Sequence, residues 1–307
     1  MLNNLSGISQ EFLAGEQLIQ QHMAVTQQQI TTGFRIGKPS DDPGDVADLL
    51  QLETQLGQVN RVISNLSEAT GKVNTAESAL NTGTQLLDQV LSLGEQGGNS
   101  TVSASERGSL SQNVQSLLSQ LVSLSNTQFD GQYVFGGDNP TQTPYQVDLS
   151  NTNGVDRLNA APSTQVIQDA SGTTFAVGLS AQQIFDNRNP DDSLASNNVF
   201  AAVNSLQQAL ANNDTNGIAT AIGAVQTASA YLSQQQAFYG NVQDELQNAT
   251  TVAQNFQVQD TGSISNLRDT NMAKAASDMT QEQTSLDAAI QAQAAIPRTS
   301  LFDFLNF

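Results

Sequence analysis

The chain has no cysteine and no tryptophan, a lone histidine at His22, and only ten lysines and arginines among 307 residues. Without cysteine there are no disulfides, thiolate nucleophiles or thiolate-bound metals. His22, lacking a second histidine or a cysteine, cannot build the usual zinc site or nucleophile–base pair, so it reads as a solvent-facing helix residue. The ten cations are scattered singly from Arg35 to Arg298 against 29 acidic side chains, giving a net charge of -19. No basic stripe exists to neutralise phosphates, so nucleic acid and anionic membrane surfaces are poor partners. No apolar run approaches the ~18–20 residues that cross a bilayer, which predicts no membrane insertion. The first cation is Arg35, so the positive n-region of a cleavable signal peptide is missing. An extracellular destination would then require another exit route.

Charged residues make up 13% of the chain and hydrophobic ones 38%, against ~25% and ~45–50% (a tally that includes glycine) in average domains. The surface is therefore mostly Gln, Asn, Ser and Thr, a composition that suits copies packed side by side without strong like-charge repulsion.

A seven-residue repeat is the clearest positive signal. Leu52, Val59, Leu66, Val73, Leu80 and Leu87 fall on one helical stripe, and Val62, Ala69, Ala76, Gly83 and Val90 complete an a/d-like seam. Asp42 is placed to cap this helix, Pro43 fits its first position, and Asp45 can reach back or favour the positive helix end. After Gly97-Gly98-Asn99 the period resumes at Leu110, Leu117 and Leu124, predicting an antiparallel partner helix. A third row runs through Ile218, Val225, Leu232, Tyr239, Leu246 and Ala253. Three long helices sharing a seam make a bundle.

From about Phe129 to Asn198 the composition shifts to Gly, Asn, Asp, Thr and Pro. The β-prone runs Gln132 to Phe135, Gln165 to Ile167 and Thr173 to Val177 are bounded by turn residues, predicting a small β-rich insertion. At the ends, Leu5, Phe12 and Ile19 repeat at seven, as do Met272, Met279 and Leu286. Each end reads as a helix in need of a partner, weakened at the N-terminus by Gly7 and Gly15 at ~1 kcal/mol apiece. The expected fold class is mainly α: an elongated antiparallel helical bundle or coiled coil with paired terminal helices and a small β-rich insert. Its expected parts are an N-terminal arm and hinge over 1–42, a helical hairpin over 43–128, the β-rich domain over 129–198, return helices over 199–262 and a C-terminal arm over 263–307.

Chemistry-bearing candidates all have plainer readings. Asp41, Asp42 and Asp45 could be pictured as metal ligands, but a turn and helix cap account for them. Gly136-Gly137 lacks the Gly-Lys-Ser/Thr of a phosphate loop and reads as a turn. Asp191-Asp192 lacks the spaced ligands and closing Glu of a calcium loop. Arg35 and Arg61 read as surface ion-pairing groups. No catalytic residue, cofactor or metal is expected.

The stretch Gln29-Ile30-Thr31-Thr32-Gly33-Phe34-Arg35-Ile36 followed by Pro39-Ser40-Asp41-Asp42-Pro43 resembles the N-terminal signature of the flagellin superfamily, in which a helix stops at Gly and a loop leads to the next helix. Gly97 to Thr101, Phe129 to Gly137 with Thr143-Pro144-Tyr145, and Ala294 to Leu305 are similar to further family segments. The Pro-Ser-Asp-Asp-Pro form is closer to the hook-associated members than to the filament flagellins. The resemblance implies a structural adaptor joining hook to filament, with Gly33, Arg35, Pro39, Asp41, Asp42 and Pro43 as hinge and cap. It implies export through the flagellar type III apparatus by an uncleaved signal with an export chaperone. Its axial neighbours would be other copies of the chain, another hook-associated protein and flagellin. Leu5, Phe12, Ile19, Met272, Met279, Leu286, Ile290, Ile296, Leu301, Phe302 and Leu305 are the expected subunit-contact residues. A filament flagellin and a secreted coiled-coil adhesin are the competing readings, ahead of an acid-dependent metalloenzyme using Asp41 and Asp42.

Overall fold

A computed structural model describes residues 2–159 and 164–295 of the chain, with side chains from Gln10 to Ala294 outside the gap. The chain is mainly α, with helices α1 (Leu2–Thr32), α2 (Asp45–Gly98) and α3 (Ala104–Ser125) preceding a strand-rich stretch. That stretch holds β1 (Gln128–Phe129), β2 (Gln132–Tyr133), β3 (Tyr145–Val147), β4 (Val155–Arg157), β5 (Gln165–Gln168) and β6 (Thr174–Gly178). The helices α4 (Ala181–Phe185), α5 (Val199–Ala211), α6 (Thr215–Arg268) and α7 (Met272–Ala295) follow. Two compact units emerge: one from Met1–Gly57 with Gln257–Phe307, the other from Gln58–Phe256.

In the second unit the seven-residue rows become the core. Leu66, Leu80, Leu87, Val90, Val114, Leu121, Ile218, Val225, Leu232 and Ala253 are fully buried in one cluster. Residues three and four apart stack on one helix face, so rows spaced by seven from α2, α3 and α6 fill a shared interior. The strands form three separate antiparallel ribbons, β1 with β2, β3 with β4 and β5 with β6. In the first, Phe129 pairs with Gln132 across Asp130 and Gly131, whose φ of 49 and 75° match the twist that two-residue hairpins need. Val134, Phe135, Tyr145 and Val155 from this stretch belong to the helices' own core. There Phe135 meets Phe185 edge-on at 5.7 Å and Tyr145 lies 5.3 Å from Phe200.

Two buried polar centres hold this unit together. Asp186 is fully buried, and its carboxylate accepts from Tyr145 Oη at 3.0 Å, Asn153 Nδ2 at 2.9 Å, Asn198 Nδ2 at 2.8 Å and Arg188 Nε at 2.8 Å. A buried charge is tolerable when opposed and hydrogen-bonded in this way. The buried Arg107 donates to Gly97 O at 2.7 Å, Asn99 O at 2.9 Å and Asn213 Oδ1 at 2.6 Å. It thereby satisfies carbonyls at the C-terminal end of α2, where cations are also favoured by the helix dipole.

Candidate functional site

In the first unit the terminal helices pack on each other. Along α1, Phe12, Glu16, Ile19, Met23, Thr26 and Ile30 are half-buried or buried, spaced by four and three, which makes one helix face. Ala275, Met279, Glu282, Ser285, Leu286 and Ala289 do the same along α7. Thr26 Oγ1 donates to Glu282 Oε1 at 3.4 Å across this seam. Phe12, Ile19, Met279 and Leu286, expected to meet neighbouring copies, therefore line a contact within the chain. Two other expected contact residues, Met272 at 49% and Ile290 at 50% on α7, are exposed, as are Leu13 at 51%, Leu18 at 55% and Val25 at 54% on α1. Leu18 and Val25 are seven residues apart on the face turned away from the seam. The Leu5 side chain and Ile296, Leu301, Phe302 and Leu305 lie outside the described residues.

The turns that lead α1 into α2 and α6 into α7 are stitched together. Gly33 ends α1 at a φ of 76°, a left-handed conformation that glycine adopts without strain, while its N–H closes on Gln29 O at 2.8 Å. Phe34 then bridges to Asp269, Arg35 N donates to Arg268 O at 2.6 Å and Thr270 N donates to Gly33 O at 2.8 Å. The Arg268 guanidinium lies 4.3 Å from the Phe34 ring centre, a cation–π contact. Arg35 is the hub: Nη1 donates to Asp42 Oδ2, and Nη2 to Asp45 Oδ2 and Leu267 O, each at 2.7 Å. Asp45 thus serves Arg35 rather than reaching back to its own helix start. Hydrogen bonds to Asp45 and Asp42 raise the Arg35 pKa further above its ordinary value, and Arg35 holds Asp42 below its own.

Asp42 Oδ1 accepts from Asp45 N at 3.3 Å, and Asp41 Oδ2 accepts from Gly37 N at 2.9 Å and Lys38 N at 2.8 Å. Pro39 and Pro43 are exposed beside them. Among the described residues no group of three or more His, Cys, Asp or Glu could hold a metal ion. Asp191 is taken up by Ser193, and Asp192 by Arg157 and Arg188. Arg61 is exposed on α2.

This geometry, two end helices paired over a stitched double turn, has counterparts. Residues 4–140 match the N-terminal helical region of bacterial flagellin, and residues 222–305 match its C-terminal helical region. The chain belongs to the flagellin family. Over 296 residues, covering 90% of both chains, it is 27% identical to flagellar hook-associated protein 3 of Escherichia coli. It is 22% identical over 293 residues to flagellin FlaB1 of Treponema pallidum, covering 91% of each chain. Its fold is similar to that of a flagellar hook-associated protein-3 from Legionella pneumophila, with a TM-score of 0.60 and 13% identity over 71% of this chain and 98% of that one. Among the described residues no helix is long and apolar enough to cross a membrane.

The outward pair Leu18 and Val25 escaped the sequence reading. Its signal was present, a second apolar spacing of seven interleaved with Phe12 and Ile19. Periodicity alone does not say which of two rows meets the partner helix.

Proposed function

We propose that this chain is a structural subunit of the bacterial flagellum, an adaptor that joins hook to filament. The observation that carries this reading is the end-to-end similarity to a hook-associated protein 3, spanning 90% of both chains. The mechanism is mechanical rather than catalytic, and no cofactor takes part. The α1–α7 pair closes its own seam and leaves Leu18, Val25, Met272 and Ile290 to bury apolar surface against adjacent copies, at ~25 cal/mol per Å² before entropy costs. Repeated around a tube, many weak contacts of this kind give a stable ring. The Arg35 turn ties Asp42 and Asp45 at the start of α2 to Leu267 at the end of α6. Its axial neighbours are another hook-associated protein on the hook side and flagellin on the distal side. The chain reaches this extracellular position through the flagellar export apparatus, escorted by a chaperone.

Electron microscopy of a deletion strain tests the reading: short hooks without filaments, with flagellin shed into the medium, are expected, and normal filaments would overturn it. Leu18→Asp or Val25→Asp should block incorporation with the secondary structure unchanged, whereas Phe12→Asp should also unpair the terminal helices. Normal assembly of the first two variants would refute the outward face as the contact. The full-length similarity to a flagellin supports a second reading, a filament subunit. Copy number separates the two, because a junction zone holds few copies per flagellum and a filament very many.

A further inference from the structure

The row Ile218, Val225, Leu232, Tyr239, Leu246 and Ala253 advances along α6 in steps of seven, and each member is buried. The next step is Asp260. It is only 4% exposed, and its Oδ2 has no hydrogen-bond partner. A carboxylate therefore occupies a seam position where every preceding step carries an apolar or aromatic side chain. A polar residue at such a position costs stability, and a buried carboxyl oxygen without a donor costs more, unlike Asp186 with its four donors.

Among the described residues, the first unit has a small buried cluster of Ile36, Leu49 and Ile264, with Val46, Leu52 and Leu56 partly buried against it. Of the four buried side-chain oxygens that lack a partner among the described residues, three lie in this unit, on Asp260, Thr270 and Glu282. Leu49 of α2 and Ile264 of α6 belong to that one cluster.

We propose that Asp260 is a built-in weak point in the α2–α6 seam of the first unit. It makes the stretch beside the Arg35 turn open more readily than the bundle of the second unit. Resting on the assembly reading above, this opening lets the Arg35 turn re-seat while a subunit enters the growing structure. Local opening of this kind is measurable as backbone amide exchange.

The test is hydrogen exchange with mass spectrometry on the full-length monomer, comparing the native chain with Asp260→Asn and Asp260→Leu. The native chain should exchange faster over 49–56 and 257–267 than over 76–90. Replacing the carboxyl group should slow the first two stretches, by about tenfold in the leucine variant and less in the asparagine variant, with 76–90 unchanged. Slower exchange in either variant supports the proposal. Exchange that is unchanged or faster in both variants, or native exchange no faster there than over 76–90, overturns it. Because the readout is taken on the monomer, it stands apart from whether the chain joins hook to filament.

Discussion

Replacing Tyr145 with phenylalanine removes one oxygen from the Asp186 hub and little else. The ring keeps its place 5.3 Å from Phe200, so no cavity opens. What disappears is a donor 3.0 Å from Asp186 Oδ2. Burial, reinforced by the neighbouring negative charge, pushes the Tyr145 pKa up, so the phenol keeps its proton and remains a donor across ordinary pH. A hydrogen bond to a charged group contributes ~1.5–3 kcal/mol, so the variant should lose about 2 kcal/mol. Asp186→Ala should cost more, about 3–5 kcal/mol, because it strands Arg188, Asn153, Asn198 and Tyr145 together. Urea unfolding followed by circular dichroism gives both numbers, and the smaller change corresponds to a Tm drop of about 4–8 °C for a unit of this size. A Tyr145→Phe variant within about 0.5 kcal/mol of the native chain, or an Asp186→Ala variant no worse than it, would refute the hub as a source of stability.

Arg107→Met should cost about 3 kcal/mol in the same assay, because Gly97 O, Asn99 O and Asn213 Oδ1 lose their donor; a loss below about 1 kcal/mol would contradict the clamp. The Arg35 turn should be acid-sensitive: Asp42 is held below its ordinary 3.8, first by Arg35 and then by the Asp45 N–H. A lowered folded pKa means that the stabilisation is fully present above about pH 4 and is lost as pH falls through the folded value. Carboxyl titration by NMR should show Asp42 below 3.8 in the native chain and closer to 3.8 in Arg35→Met; identical values in the two would sink the assignment.

The long helices were legible because their signal is repetitive: rows such as Leu66, Val73 and Leu80 admit one reading. The helix start near Asp42 was legible too, since a capping carboxylate and a proline are local chemistry. Arg35 was less so, because nothing in its neighbourhood announces that Leu267 O lies within 2.7 Å of its guanidinium. The Asp186 hub could not be found this way at all. Tyr145, Asn153, Arg188 and Asn198 sit in a stretch rich in Asn and Asp, where polarity reads as solvent exposure, and only the folded ribbons bring them to one carboxylate. The β1–β2 hairpin carried a usable cue, Asp130-Gly131, beside a run read as strand from Gln132. The strands β3 and β4, three residues each, are too short for alternation to register.

The two units differ in how far their buried polar groups are satisfied, with three of the four orphaned oxygens among the described residues in the first and one, Asn204 Oδ1, in the second. In the second unit Asp186 is matched by four donors and Arg107 by three acceptors, within an extensive apolar core. Satisfied networks of this kind fix one arrangement of the chain. In the first unit Asp260 and Thr270 keep buried oxygens without donors, as does Glu282 on the seam between α1 and α7, while Leu18 and Val25 face solvent. Unpaired acceptors and exposed apolar rows both raise the free energy of the isolated chain, and both can be relieved by packing against further copies. A subunit that must keep its body rigid yet finish its ends only on joining others needs this division, with polar satisfaction concentrated away from the helices that make the joint.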